Sequence, residues 1–245
     1  MVEDISRVNR SKKEAKKFYD RISGSYDWLG GIFERRPAVK ALNHLKIQSG
    51  ETVLEIGFGT GYCLQRIAMS VGNSGKAYGI DISEGMINRT KERLDKASLL
   101  DRVELYRGDA TKLLFDDKTF DAVFISFTLE LFDSPEISEV LGEIRRVLKP
   151  GGRLGIVSLS KTNADSPSVR IYEWMHNKWP KYIDCRPIYV SEAVRRSGFN
   201  IMVREAARII ILPIEIVVAI KDTSASSLET SQGQATLPLK DRTTF

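Results

Sequence analysis

The chain has 245 residues, which allows one large domain or two small ones at roughly 100–200 residues per domain. Apolar residues at 42% and charged residues at 28% describe an ordinary folded protein and exclude a collagen-like or disordered chain. The two cysteines, Cys63 and Cys185, lie far apart and form no C-x-x-C pair. A disulfide framework and a zinc ribbon are therefore excluded, no metal is expected, and a reducing, cytoplasmic setting fits.

Residues 1–18 are too polar for a signal peptide. The formal net charge is +5, and residues 1–17 carry six Lys/Arg (7, 10, 12, 13, 16, 17) against three acids (3, 4, 14). Such a cluster reads as a solvated helix or arm. Binding phosphates needs many cations on one face, so no nucleic-acid partner is expected. Short apolar or β-branched runs follow at 52–56, 77–82, 103–106, 122–127 and 153–159. They suit parallel strands covered on both faces. Helical patterns lie between them at 61–71, 84–97 and 135–148, with Gly72 and Pro150-Gly151-Gly152 as stops for two of them. This alternation predicts an α/β, doubly wound sheet with right-handed crossovers. After residue 159 the pattern changes to a loop at 161–167 and a helix at 169–178 carrying Tyr172, Trp174, Met175 and His176. A further helix at 190–197 and two strands at 199–205 and 210–220 close the domain. The most apolar run, 209–220, holds Pro213 and Glu215 and is too short to span a membrane. Residues 221–245 hold nine Ser/Thr and read as a flexible tail.

The richest segment is Val53-Leu54-Glu55-Ile56-Gly57-Phe58-Gly59-Thr60-Gly61: a strand end, three alternating glycines, then a helix start. Glycines let the backbone approach a ligand, and a helix N-terminus offers N–H groups. A dinucleotide loop wants a small residue where Tyr62 stands, and Glu55 would face an incoming pyrophosphate. A ligand with an ammonium and a sulfonium and no phosphate suits a carboxylate there; S-adenosylmethionine (SAM) is such a ligand. A bare βα turn is the alternative for the loop alone. Asp81 follows Gly61 by 20 residues, the spacing of a ribose-binding acid in this topology. It would also favour the dipole of the next helix, although Ser83 is the better N-cap. Ile82 and Met86 would then flank an adenine ring. Arg107-Gly108-Asp109-Ala110 comes after the third strand. Asp109 can accept from an adenine amino group and the Ala110 backbone can meet a ring nitrogen; a plain turn is the alternative.

Together with residues 79–83, 120–127 and 148–154, these segments resemble the class I SAM-dependent methyltransferases over roughly residues 18–161, with a looser match to about 220. The subgroup most resembled is the ubiquinone/menaquinone biosynthesis methyltransferases, on Tyr19-Asp20-Arg21-Ile22-Ser23 through Tyr26-Asp27 and on Phe124-Ile125-Ser126-Phe127. The resemblance implies a Rossmann-like seven-stranded sheet, mostly parallel with one antiparallel strand. It implies a helical lid or arm over 1–50, a methyltransferase domain over 51–220 and SAM as cofactor. Glu55, Gly57 and Gly59 would surround the methionine part, and Gly61 would also belong to the cofactor-binding loop. Asp81 would hold the ribose, and Asp109 and Ala110 the adenine. Ser126 would offer its backbone to the methionine end, and Tyr19 and Tyr26 would form part of the lid. Leu129-Glu130-Leu131-Phe132 departs from the segment those enzymes usually carry beside the acceptor.

The expected partner is a small-molecule acceptor, apolar or aromatic and quinol-like. A lipid or other small molecule methylated at O, N or C is the runner-up, and a lipophilic acceptor would bring peripheral membrane contact. A phenolic acceptor, with a pKa near 10 if it resembles tyrosine, benefits from a base. His176 and Glu130 are the catalytic candidates, against a packing histidine and an exposed carboxylate; Asp133 also follows the fourth strand, and His44 reads as structural. Ser126-Phe127-Thr128-Leu129 stands where amino-methylating enzymes usually carry Asn/Asp-Pro-Pro-aromatic, and neither cysteine follows a proline as cytosine-C5 enzymes require. From other classes, an NAD-binding oxidoreductase is disfavoured by Tyr62 and Glu55, and a non-catalytic SAM-binding partner subunit stays open.

Overall fold

The computed structural model describes residues 11–24, 32–161, 185–210 and 212–223. Along the chain run α1 (Lys12–Ile22), α2 (Ile32–Leu45), β1 (Thr52–Ile56), α3 (Tyr62–Val71), β2 (Lys76–Asp81), α4 (Glu84–Lys96), β3 (Val103–Arg107) and β4 (Phe120–Ser126). They are followed by α5 (Ser134–Val147), β5 (Leu148–Leu159), α6 (Val190–Arg196), β6 (Phe199–Ile209) and β7 (Leu212–Lys221). The strands form one seven-stranded sheet in the order β3-β2-β1-β4-β5-β7-β6. β1 to β5 pair in parallel, and β7 runs antiparallel to both β5 and β6. This is the expected mostly parallel sheet with one reversed strand.

Both faces of the sheet are covered, which is why its strands read as near-continuous apolar runs. Val53, Ala77, Ala122, Phe124 and Val157 point to one side, under α2, α3 and α4. Leu54, Ile80, Val123, Ile125 and Ile156 point to the other, under α5 and α6. The helices answer with apolar stripes at helical spacing: Cys63, Leu64, Ile67, Ala68 and Val71 on α3, and Ile137, Val140, Leu141, Ile144 and Val147 on α5. α2 buries Ala38, Ala41, Leu42 and Leu45 in the first of these cores. α1 buries none of its residues.

Several boundaries differ from the sequence reading, among them the ends of α5, β6 and β7. Pro150-Gly151-Gly152 does not stop α5. The helix ends at Val147, and Leu148 takes an extended backbone with φ −72° and ψ 138°. β5 has begun there: Leu148 pairs with Phe120, Arg153 pairs with Ala122, and the breakers occupy the irregularity between. A bulge is where a strand tolerates proline and glycine. β7 runs through Lys221, one residue into the segment read as tail, and its Nζ donates to the Leu148 carbonyl at 2.6 Å. The helix expected at 169–178 lies outside the described residues.

β1 has β2 on one side and β4 on the other. The direction of strand addition reverses there, so a crevice opens at the carboxyl ends of β1 and β4.

Candidate cofactor and active site

A cavity occupies that crevice. Its floor is the turn from β1 into α3. Gly57 (φ 67°) and Gly59 (φ 53°) take the left-handed backbone that glycine adopts without strain. A Cβ on Gly57 would come within 2.3 Å of the Thr128 hydroxyl, whereas one on Gly59 would meet nothing within 4 Å. The first glycine thus admits a close approach of two protein segments, and the second leaves open space over the loop. Phe127, at φ 49°, follows the end of β4 and turns the chain so that Thr128 lies over Gly57. The Thr128 hydroxyl donates to the Ser126 carbonyl at 2.9 Å.

Two acids stand at the strand tips beside this loop. Glu55 is 3% exposed, and its Oε2 has no hydrogen-bond partner among the described residues. Burial, reinforced by the charge of Asp81, holds its carboxyl well above the usual carboxylate range. Asp81 Oδ2 accepts from the Gly59 N–H at 3.0 Å, and Oδ1 accepts from the Ser83 N–H at 2.9 Å. Burial pushes Asp81 up to about 6 against these donors. Two acids held above their ordinary range at adjoining strand tips would be stabilised in their charged form by a cation. Ser83 caps α4 by accepting from the Met86 N–H at 3.2 Å, which brings Met86 to the wall beside Ile82.

At the far end Asp109 accepts the Thr111 N–H at 3.0 Å. It also pairs with Lys12 of α1 at 2.5 Å, and the same ammonium lies 2.9 Å from Glu136 at the start of α5. These pairs, together with a hydrogen bond to Thr111 at 3.1 Å, lay α1 across the cavity. Lys12, Ala15 and Tyr19, at helical spacing, line it. Burial opposes the Lys12 charge, but Asp109 and Glu136 outweigh it and raise its pKa. Asp20 fastens the other end of α1. Its Oδ1 accepts from Ser83 Oγ at 2.7 Å and from the Gly85 N–H at 3.1 Å. Burial raises the Asp20 pKa, but Lys16, Ser83 and Gly85 prevail and hold it at about 2.

Tyr19, Glu55, Gly57, Gly59, Asp81, Ile82, Met86, Asp109, Ala110 and Ser126 all line this one cavity. Gly61 stands behind the wall, as the left-handed N-cap of α3. Glu130 is not where its position in the chain suggested. It is fully buried, with Ser158 Oγ donating to Oε2 at 2.9 Å and the Leu159 N–H donating to Oε1 at 3.1 Å. Burial lifts it to about 7 against those donors. Its neighbours Leu131 and Phe132 line the cavity instead, because a 3-10 turn over Leu129–Leu131 carries successive side chains about 120° apart. Asp133 lines the cavity while its N–H donates to Glu136 at 3.2 Å. His44 faces Glu205 of β6 at 3.3 Å. Tyr26 and His176 lie outside the described residues. Glu34 and Arg35 of α2 also reach the cavity, although no motif announces them.

The residues present fit SAM. An unpartnered buried carboxylate suits an ammonium, an acid with lone pairs left over suits a ribose, and the open glycine cradle leaves room for the ligand itself.

Residues 53–152 match a methyltransferase domain family. A demethylmenaquinone methyltransferase of Listeria welshimeri is 34% identical over 156 residues, 62% of this chain and 65% of the relative. The chain thus spans just under two thirds of that relative's length. A demethylmenaquinone methyltransferase of Lactobacillus johnsonii is 31% identical over 166 residues, 66% of this chain and 67% of the relative. A SAM-dependent methyltransferase of Aquifex aeolicus superposes with a TM-score of 0.61 at 25% identity, covering 82% of this chain and 97% of its own. The [4+2]-cyclase SpnF superposes with a TM-score of 0.71 at 20% identity, covering 89% and 98%, which is a likeness of fold alone. With SAM as its cofactor, the chain belongs to the class I SAM-dependent methyltransferases.

Proposed function

We propose that the chain transfers the methyl group of SAM to a small, apolar or aromatic acceptor of the quinol type, in a cytoplasmic setting. The observation that carries this reading is the pair of acids, Glu55 and Asp81, above a glycine cradle at the switch point of the sheet. In this reading Glu55, Gly57 and Gly59 surround the methionine part, and Ser126 offers its backbone there. Asp81 holds the ribose. Ile82 and Met86 flank the adenine, whose edge meets Asp109 and Ala110. Tyr19, on α1, is part of a lid; Tyr26 would extend it.

When bound, SAM supplies an electrophilic methyl group. The chain's own contribution is to align the acceptor and to exclude water. Phe127, Leu131 and Phe132 give the cavity an apolar wall beside Ser126, and α1 covers its adenine end. The names of the Listeria and Lactobacillus relatives support a quinol-like acceptor. Glu130 acts in this reading as a structural support for β5, and His176 remains the candidate base for a phenolic acceptor.

The test is incubation of the full chain with SAM labelled in its methyl group and a panel of reduced naphthoquinols, benzoquinols, catechols and lipids. Label is expected in a quinol. Label only in a lipid or an amine would replace the acceptor class. A ligand-binding chain that labels nothing in the panel would overturn the transfer reading, since the cyclase shows that this fold also serves other chemistry.

A further inference from the structure

We propose that Glu130 is a positioning residue for the acceptor: through Ser158 and the Leu159 N–H it fastens the 3-10 turn that sets Leu131 and Phe132 in the cavity. The inference rests on the acceptor wall of the reading above.

Glu130 stands in the segment where the sequence departs from the quinone-biosynthesis methyltransferases. It occupies the middle of the turn Leu129–Leu131 and is fully buried. The turn itself is closed by two backbone bonds: the Leu131 N–H donates to the Thr128 carbonyl at 3.1 Å, and the Phe132 N–H donates to the Leu129 carbonyl at 3.3 Å. Hydrogen-bond geometry in a 3-10 turn is poorer than in an α-helix, so so short a turn depends on outside support. Three attachments supply it. Leu129 is buried in the same core as Ile137 and Val140 of α5. Arg186 Nη2 donates to the Phe132 carbonyl at 2.6 Å. Between these two ends, Glu130 ties the turn to the end of β5, at 2.9 Å from Ser158 Oγ and 3.1 Å from the Leu159 nitrogen. Leu131 and Phe132 line the cavity, whereas Glu130 does not. A change at Glu130 therefore reaches the acceptor through the placement of its two neighbours.

A hydrogen count gives this tie two forms. The Ser158 hydroxyl lies 2.9 Å from Glu130 Oε2 and 3.3 Å from the Leu159 carbonyl oxygen. It has one hydrogen and can donate to one of them. An ionised Glu130 takes that hydrogen. A protonated Glu130 donates to Ser158 Oγ instead, Ser158 donates on to the Leu159 carbonyl, and the other carboxyl oxygen still accepts the Leu159 N–H. Both forms fasten the turn to β5. The protonated one leaves no charge in the buried site, where desolvation, with the like charge of Glu34 on α2 added to it, disfavours the anion. Opening of the turn lets the carboxyl reach water and ionise. Opening should therefore grow as pH climbs from the ordinary carboxylate range to about 7, and level off where the closed form ionises too.

The test is amide hydrogen exchange at Leu131 and Phe132 in the full chain saturated with S-adenosylhomocysteine, beside calorimetric titration of the same complex with menadione, a naphthoquinone. Glu130→Ala should speed exchange at both amides by roughly tenfold or more and weaken menadione by a similar factor, because the buried Ser158 hydroxyl and Leu159 N–H lose their partner. Exchange at Leu54 and Ile56 of β1, and the affinity for S-adenosylhomocysteine, should stay within about twofold, because the opening is local. Glu130→Gln can donate to Ser158 and accept from the Leu159 N–H. It should restore both readouts and abolish the pH dependence of turn opening that the wild type shows once exchange is corrected for its own pH dependence. Unaltered exchange in Glu130→Ala, or an equal acceleration in β1, overturns the inference. Faster exchange with unaltered menadione binding overturns it as well, because the turn would then not hold the acceptor. Should Glu130→Ala not fold, Ser158→Ala is judged by the same two readouts. A wild type that binds no menadione overturns the quinol reading instead, and exchange alone then decides whether Glu130 fastens the turn.

Discussion

Burial of Glu55 and Asp81 disfavours their charged forms, and that cost is the handle on their function. An acid whose folded pKa lies above its usual value weakens the fold as pH rises from the ordinary carboxylate range through the folded pKa. For Asp81 that window ends at about 6. A cationic ligand reverses the balance, because it favours the ionised acids. SAM affinity should therefore rise as pH climbs from the ordinary carboxylate range through the Asp81 value of about 6, with protons released on binding. Titrations in buffers of different ionisation heat measure the release; affinity that is flat across this range, with no proton release, would show that these acids do not face the cofactor. Glu55, Asp81 and Asp109 were legible as residues because each lies at or just beyond the carboxyl end of a parallel strand, and strand ends in this topology converge on one crevice. Glu130 also follows a strand, but one 3-10 turn inverts its direction, and no local signal marks that turn. Arg35 was not legible at all. It meets Tyr62 across a packing of α2 on α3 that only the tertiary fold creates.

At the scale of elements, α1 is the part most loosely held. It carries no buried residue, so polar contacts at its two ends decide its position. Lys12 spans Asp109 and Glu136 at one end, and Asp20 accepts from Ser83 and Gly85 at the other. Side chains of Lys12 and Asp109 are 46% and 35% exposed, so each pair is screened and contributes only about 0.2–1 kcal/mol. Lys12→Ala should speed SAM dissociation by a few-fold with little change in melting temperature. In the wild type, dissociation should also quicken with added salt, because such pairs weaken at high ionic strength, and the variant should lose most of that dependence. Stopped-flow measurements across a salt series test both statements; identical slopes would mean that α1 does not gate the site. This latch was hidden in the sequence. Lys12 sits in a run of basic residues that reads as a solvated face, and its partners lie about a hundred residues away. The strands behaved differently. Burial on both faces writes β1, β4 and the second half of β5 as apolar runs, whereas the edge strand β3 buries only Val103. β6 alternates buried or half-buried with exposed residues, and its later half continued as a strand beyond the expected end.

For the whole molecule, the fold's stability lies in the two cores on either side of the sheet, and the proposed chemistry sits in the crevice between them. Among the described residues no helix is long and apolar enough to cross a membrane. The reversed strand β7 joins β5 to β6, burying Ile214, Ile216 and Val218 on one face and Val217 and Ala219 on the other. Its last residue is tied to the start of β5 through Lys221, and Asp222 accepts from Asn200 Nδ2 at 2.9 Å. The contacts of the domain therefore reach at least Asp222, past the boundary at 220 that composition suggested. A cut after Ile220 would remove the buried Lys221 contact and unpair the end of β7, whereas a cut after Thr223 would leave all these contacts in place. The shorter chain ending at Ile220 should lose about 1–3 kcal/mol, the range expected when a buried hydrogen-bond partner is removed. The chain ending at Thr223 should melt within about a degree of the full chain and bind S-adenosylhomocysteine equally well, because residues 224–245 are mostly polar and have little apolar surface to bury. Thermal melts of both truncations beside the full chain decide it. A drop of many degrees for the cut after Thr223 would mean that the last segment packs on the domain, and a matching loss of affinity would place it at the cavity.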